Sequence, residues 1–422
     1  MSFVTDHILK NPPVLLGLIA MIGLIVQRKP FAEVVKGSLT AAFGMVALTA
    51  GVNMLTGTIA PINTAVQTQL GVQVADGLSD VTFTAEYGGT VGLAMFFGLI
   101  LHLLIARFTP VKTIFLTGHM LWWFPFVIVA GGVEGGMSGI PLLILGAVLS
   151  ACYWSFMPWI MRKYVWDATG DDSFLIGHPT GILSMVSGFV AKRVGNKEKS
   201  TEDLKVPENL SFFREISITG ALVMFLMNIV VGIIAPVLVP EGGNLVMFAV
   251  QAGLNFGAGL LIMLYGVRLL INQIIPAFQG IAEKVVPGAK PAFDVPILFN
   301  YRPNAVIIGF IVAMITSTIL VIIVNTTNVF GILIVPLVIT SFFECGGAAV
   351  IGEGQGGLRG AVIGTIAASF VMVLLVGVSA VLFSTTIQNW ILIFGGNDLS
   401  LWGIIGRGLG SLFGGISYVS IC

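Results

Sequence analysis

Charge is what this chain has least of. Asp, Glu, Lys and Arg make up 9% of its 422 residues, against roughly 25% in a soluble domain. That deficit excludes an ordinary water-soluble fold. The 20 basic and 20 acidic residues cancel, so no basic surface points to nucleic acid. Cysteine is also scarce, and Cys152, Cys345 and Cys422 have no metal or redox spacing. The N-terminus lacks the basic start and small-residue cleavage site of a secretory signal, so Val14–Val26 is read as part of a retained first helix beginning within Asn11-Pro12-Pro13. No zinc-binding helix motif and no nucleophile elbow is present. Gly352–Arg359 has the glycines of a phosphate loop without its lysine, and reads as a tight turn at a membrane face. No metal and no cofactor is expected, and a membrane-embedded enzyme ranks last among the possible classes.

Apolar residues dominate what remains, at 56% of the chain with a mean hydropathy of +1.00. Apolar runs of about 20 residues, the length that crosses a bilayer, recur from end to end. The 53 glycines and 18 prolines suit broken helices and re-entrant segments, because irregular backbone survives in a membrane only where it is buried in protein or lines a cavity. Small residues also permit close helix packing, and composition does not separate the two uses. Everything points to an all-α membrane protein of transporter type.

In chain order, the first helix ends at Arg28-Lys29, which places the N-terminus outside by the positive-inside rule. Gly37–Leu55 follows and stops at Pro61. Ile62–Thr84, with Asp76 and Asp80, reads as an external loop or shallow re-entrant segment. Gly88–Ile105 and Ile140–Ile160 span, with a break at Gly118-His119 between them. Asp167–Gly181 with the apolar arm Ile182–Val190 is too short to cross and reads as a re-entrant segment near 167–187. The only long charged run, Lys192–Glu215, carries six basic and five acidic residues and reads as a cytoplasmic linker. Ile216–Val239 spans, Leu245–Ile275 is long enough to be tilted or broken, and Ala305–Val324, Val329–Ile339, Gly360–Leu382 and Leu399–Ile421 complete the membrane segments. A break is expected at Glu344-Cys345-Gly346-Gly347.

Two halves share a pattern. Gly44, Gly51, Val52, Leu55, Ile59 and Pro61 recur 215 residues later as Gly259, Gly266, Val267, Leu270, Ile274 and Pro276. This divides the chain into an N-terminal repeat over 1–187, a linker over 188–215 and a C-terminal repeat over 216–422. Transporters are commonly built from such repeats, inverted when each holds an odd number of spans.

Ionisable groups within the membrane default to function because they are costly there. His119 and His178 both follow glycine and sit near proline. A neutral imidazole offers one donor and one acceptor, which suits sugar hydroxyls, or it satisfies backbone at the break. Asp294 could accept from two hydroxyls, bind a cation, or cap a half-helix. Glu344 and Glu86 are weaker candidates of the same kind. Trp122 and Trp123 suit stacking on a sugar ring or an interfacial belt.

These residues carry a resemblance. Leu116-Thr117-Gly118-His119, Ser173–His178 followed by Lys197–Pro207, Asp294 with Pro303-Asn304-Ala305-Val306, and Phe342–Ala361 match, in order, motifs of the ascorbate-type membrane component, enzyme IIC, of the bacterial sugar phosphotransferase system. The resemblance implies a homodimer of about eleven spans in two inverted repeats, with a substrate-carrying core domain that moves against a dimerisation scaffold domain. It implies location in the bacterial inner membrane, with the 192–214 loop cytoplasmic. It implies sugar uptake coupled to phosphorylation by a separate IIB subunit carrying phosphocysteine. It maps His119, His178 and Asp294 onto sugar-binding positions and places Val52 and Thr82 on binding segments.

The chain departs from that pattern at three places. Trp123 stands where the family has glutamine, Pro179 where it has a second glutamine, and Thr82 where it has tyrosine. Lost hydrogen-bonding groups at a buried hydroxyl cost about 1–3 kcal/mol each, so the sugar itself is open. The absence of a soluble cysteine-bearing loop leads to the expectation that the phosphoryl donor is a separate chain. The competing class is a secondary transporter coupled to H⁺ or Na⁺ through Asp294, Glu344 or a histidine.

Overall fold

The structure is a computed structural model that describes residues 12–69, 80–204, 215–284, 286–334 and 337–413. Asp76, the 205–214 part of the linker and Cys422 lie outside them. Helices α1 (Pro12–Val26), α2 (Phe31–Gln69), α3 (Asp80–Phe108), α4 (Met120–Glu134), α5 (Gly139–Thr169) and α6 (Gly181–Val194) make up the first half. Helices α7 (Ile216–Ile234), α8 (Leu245–Lys284), α9 (Pro296–Phe299), α10 (Pro303–Thr326), α11 (Val338–Leu382), α12 (Gln388–Phe394) and α13 (Asp398–Phe413) make up the second. Among the described residues, six helices are long and apolar enough to cross a membrane, and Met120–Glu134 and Gly220–Ile234 are shorter apolar ones. The membrane character read from composition therefore holds.

Several boundaries differ from those the sequence suggests. The second helix does not stop at Pro61 but runs through it to Gln69. A proline forfeits one backbone bond, a loss that long membrane helices tolerate. Leu245–Ile275, expected to be tilted or broken, is not broken but part of one 40-residue helix. Val329–Ile339 is not a span among the described residues, since 329–334 is turn and irregular backbone. Asn328 and Gly331 have φ of 50° and 66°, and the Asn325 amide pairs with the backbone of Ile334 at 2.8 and 3.0 Å. The helix begins only at Val338.

The expected break at Glu344–Gly347 is helical instead. A Cβ on Gly347 would sit 2.5 Å from a Val295 methyl, so the glycine there serves close approach. The true interruption of α11 falls at Gly356 and Gly357, the latter at φ 61°. It is held by the start of the charged run, where Asn196 donates to the Gly356 carbonyl and Leu358 donates to the Lys199 carbonyl. Glu353, 3% exposed, accepts from Ser200 Oγ and from the Thr201 N–H and hydroxyl, and from Arg302 Nη1 at 3.2 Å. Residues 196–203 are thus strapped to the protein rather than loose in solvent.

The helices pack in two groups that mix the sequence halves. In one, α2 lies along α8, with α1 and α7 beside them; in the other, α6 and α10 lie on α11, α4 on α13, and α3 on α5. Between the elements of the second group runs a feature the all-α reading did not include. Strands β1 (Thr113–Phe115), β2 (Leu175–Ile176) and β3 (Lys290–Phe293) form a parallel sheet in the order β1-β3-β2. Phe115 pairs with Ala292, and Ile176 with Phe293. Three short extended arms meet here, and sheet bonds satisfy backbone groups that no lipid could.

Candidate functional site

All three strands run the same way, so the residues that follow them emerge at one end. His119 comes four positions after β1, His178 two after β2, and Asp294 directly after β3. The ladder continues one step past the strands, with Leu116 donating to the Ala292 carbonyl at 2.9 Å and Gly177 to the Phe293 carbonyl at 2.7 Å. Each arm then enters a helix: α4 after His119, α6 after His178, α9 after Asp294. Carboxyl ends of parallel strands are a recurrent place for ligands, because loops and helix starts converge there.

His178 Nδ1 donates to Asp294 Oδ1 at 2.5 Å. The other carboxylate oxygen faces His119 Nε2 at 3.8 Å, and His178 Nε2 faces Glu344 Oε1 at 3.7 Å. Those two gaps exceed a direct hydrogen bond and suit a bridging hydroxyl. Glu344 Oε1 accepts from Asn397 Nδ2 at 2.6 Å. Its Oε2 is buried and meets no hydrogen-bond partner among the described residues. An unsatisfied buried carboxylate oxygen is expensive, and a ligand hydroxyl would relieve it. His119, His178 and Asp294 hold their ligating atoms within 4.8 Å of one another, close enough to share a cation. Two of the three residues, His178 and Asp294, are already bonded to each other.

The histidine arm is fixed from behind. Asp398, fully buried, accepts from the N–H groups of Gly181 and Ile182 at 2.9 and 2.8 Å, capping α6. The Tyr153 hydroxyl lies 2.8 Å from the same carboxylate and 3.1 Å from the His178 carbonyl. Asp398 donates its own N–H to the Pro179 carbonyl, and Thr180 Oγ1 donates to the Glu344 carbonyl. Asp398 and Tyr153 are positioning residues for His178.

These groups open on a cavity of about 260 Å³ between the two helix groups, lined on the α2 side by Leu48, Thr49, Val52 and Asn53. His119, His178, Asp294 and Glu344 supply its polar wall, while Trp123, Phe343, Trp390 and Phe394 supply an aromatic one. The Trp123 and Trp390 rings lie 4.9 Å apart, tilted by 32°. Of the residues singled out in the sequence, His119, His178, Asp294, Trp123, Val52 and Glu344 come together here. Pro179 is buried in the arm behind the cavity, and Thr82 and Glu86 are exposed on α3, so these three are not among the lining residues.

The family comparison matches this picture. The sequence model of the EIIC-GAT family, described as the PTS system sugar-specific permease component, matches residues 7–398. The chain belongs to that family. The resemblance read from the motifs is therefore upheld at the level of a phosphotransferase-system sugar permease. One relative of this EIIC-GAT member is the "Ascorbate-specific PTS system EIIC component" of Mycoplasma pneumoniae, 24% identical over 418 residues. The match covers 85% of this chain and 63% of the relative, so the chain spans less than two thirds of that relative's length.

The sequence reading missed Asn53, Trp390, Asn397, Asp398 and Tyr153. One signal was available. Gly395-Gly396-Asn397-Asp398 is a polar pair after a glycine pair between two apolar blocks, the same grammar as Gly118-His119. Trp390 and Tyr153 carry no such mark.

Proposed function

We infer that this permease takes up a small hydroxylated sugar, ascorbate-like or polyol, by alternating access, and that a separate IIB subunit phosphorylates the sugar as it reaches the cytoplasm. The observation that carries the reading is the two-walled cavity. Histidines and carboxylates that can both donate to and accept from hydroxyls face an aromatic pair that can cover a ring. Family membership supports the coupling, and the ascorbate-specific relative supports the sugar class. In the coupled step the S–P bond of the partner's phosphocysteine breaks, an O–P bond forms to a sugar hydroxyl, and the hydroxyl proton passes to the released cysteine thiolate.

The finer architecture belongs to the same proposal: about eleven spans, a homodimer, the N-terminus outside and the 192–214 segment cytoplasmic. Packing at the α2–α8 crossing supports the two inverted repeats. A Cβ on Gly266 would lie 2.6 Å from the Gly44 carbonyl, and one on Gly51 would lie 2.6 Å from the Gly259 carbonyl. Exchanging the two sequence copies turns the first contact into the second, as a two-fold axis through the crossing requires. His119, His178, Asp294, Glu344, Trp123 and Val52 are assigned to the sugar. Pro179, Thr82 and Glu86 are assigned to segments that reach it in another state.

The second reading, an ion-coupled transporter, draws on the partnerless Glu344 oxygen and the close His119–His178–Asp294 cluster. The chemical state of the imported solute decides between them. Cells given labelled ascorbate, a pentitol and a hexitol should accumulate one of them only as its phosphate ester, and only when the phosphotransferase partners are present. Accumulation of unmodified solute that follows the ion gradient would overturn the coupled reading. The same panel should stabilise the purified protein against heat in a concentration-dependent way. His178→Ala should weaken the successful ligand by roughly ten- to a hundredfold, the worth of a charge-assisted hydrogen bond.

A further inference from the structure

A second cavity, of about 280 Å³, lies between the same two helix groups. Arg268 and Asn272 of α8 line one side, and Asp171, Asn300 and Tyr301 line the other. The 215-residue offset that superposes Gly44 and Gly51 on Gly259 and Gly266 places Asn53 on Arg268 and Gly57 on Asn272. Asn53 lines the first cavity and Arg268 lines the second. Both helices meet at the reciprocal Gly44–Gly266 and Gly51–Gly259 contacts, so the two side chains hold equivalent positions on opposite sides of the crossing.

We propose that Arg268 takes the place of Asn53 beside the substrate in the opposite access state, and that it forms there a cationic subsite for phosphoryl oxygens. The proposal rests on the alternating-access reading above. When the helix group bearing His178 and Asp294 shifts along the α2–α8 pair, the group presented to the sugar changes from a neutral amide to a guanidinium. That is the one chemical asymmetry the repeat introduces at this position. A neutral sugar is met by Asn53, and a phosphorylated one by Arg268. A site that binds one form better than the other biases the equilibrium in its direction.

The location fits. Arg268 Nε and Nη2 donate to Asn300 Oδ1 at 3.4 and 3.2 Å. Two residues on, Arg302 joins the Glu353 carboxylate that holds Ser200 and Thr201 of the charged run. The second cavity therefore lies on the side where the run, and with it the phosphoryl donor, is placed. A guanidinium has five N–H donors in a planar fork suited to phosphate, and here a single amide oxygen receives two of them. Among the described residues that line the cavity, the one acidic side chain is engaged. Asp171 accepts from the Ser173 N–H at 2.8 Å and from the Tyr301 hydroxyl at 3.2 Å. Burial and the Asp171 charge push the Tyr301 phenol up to about 12, so it remains a neutral donor at physiological pH.

The test needs no identified sugar. In full-length protein with Cys152, Cys345 and Cys422 replaced by alanine, two cysteine pairs are compared in phosphatidylcholine nanodiscs: Asn53→Cys with Phe343→Cys, and Arg268→Cys with Phe343→Cys. Both are expected to form disulfides, because Phe343 meets α2 in one state and α8 in the other. Inorganic phosphate is then added to the Asn53–Phe343 pair with Arg268 intact. Its cross-linking should fall by roughly threefold or more as the population shifts. The fall should persist in Arg268→Lys and vanish in Arg268→Gln. If the Arg268–Phe343 pair never cross-links while the Asn53–Phe343 pair does, the exchange of partners is wrong. If phosphate acts equally on Arg268→Gln, or if the yield follows added phosphatidylglycerol instead, Arg268 serves something other than a product phosphate and the proposal falls. Import of unmodified solute by the wild type would refute the coupled reading while leaving the cross-link result to stand by itself.

Discussion

Asp398 shows how much a single residue can do without lining the cavity. Its carboxylate closes the first turn of α6, receives Tyr153, and so fixes the turn that carries His178. Asp398→Ala would leave two buried N–H groups and a buried hydroxyl without their acceptor. A destabilisation of the order of 3 kcal/mol is expected from such losses, read as a lowered thermal midpoint in detergent with ligand stabilisation lost alongside it. An unchanged midpoint would mean that α6 is held some other way. His102 makes the opposite point about legibility. In the sequence it has no context, yet its Nε2 accepts the Phe115 N–H at 3.0 Å and its Nδ1 pairs with Ser155 Oγ at 2.8 Å. It holds the end of β1 from which His119 departs. His119 and His178 were legible because glycine and proline flank them. His102 was not, because its partners are distant in the chain.

At the scale of elements, the α2–α8 crossing carries the most specific demand on sequence. A Cβ on Gly266 would lie 2.3 Å from the Leu48 backbone nitrogen, whereas one on Gly57 meets nothing within 4 Å. Gly266→Ala is expected to force the helices apart and cost about 1–3 kcal/mol, the usual penalty of overpacking. Gly57→Ala should be neutral or stabilising by up to about 1 kcal/mol, because alanine is the better helix former. Detergent-solubilised midpoints for the pair would show it, and equal midpoints would contradict the close approach. The repeated G-V-x-x-L pattern was visible in the sequence. That its glycines face each other was not, since a repeat says what recurs and leaves open what touches. The strands were invisible for a related reason: Leu175-Ile176 and Thr113–Phe115 are shorter than any periodicity that could mark them.

At the scale of the whole molecule, the two helix groups draw from both sequence halves, and the cavity lies on the seam between them. Orientation is the global property most open to measurement. In a cysteine-free background, Lys197→Cys is expected to react with a membrane-impermeant maleimide in inside-out vesicles and to be protected in intact cells. Labelling from outside would invert the topology and move the second cavity to the opposite side of the membrane. The strap at 196–203 bears on this result, because its exposed lysines project from a segment tied to Glu353 and Gly356 rather than from a free linker.

Sequence by itself determined that the chain lives in a membrane, that its backbone is interrupted at Gly118-His119 and Gly177-His178, and that one permease family shares its motifs. Those properties are local: hydropathy sets where a segment partitions, and glycine with proline sets where a helix fails. Only the tertiary structure decided that His178 would bond to Asp294 across 116 residues, that Trp390 would face Trp123, and that Asp398 would stand behind them. Each of those pairings follows from three short strands lying side by side, a long-range contact whose stability comes from neighbours brought together by folding.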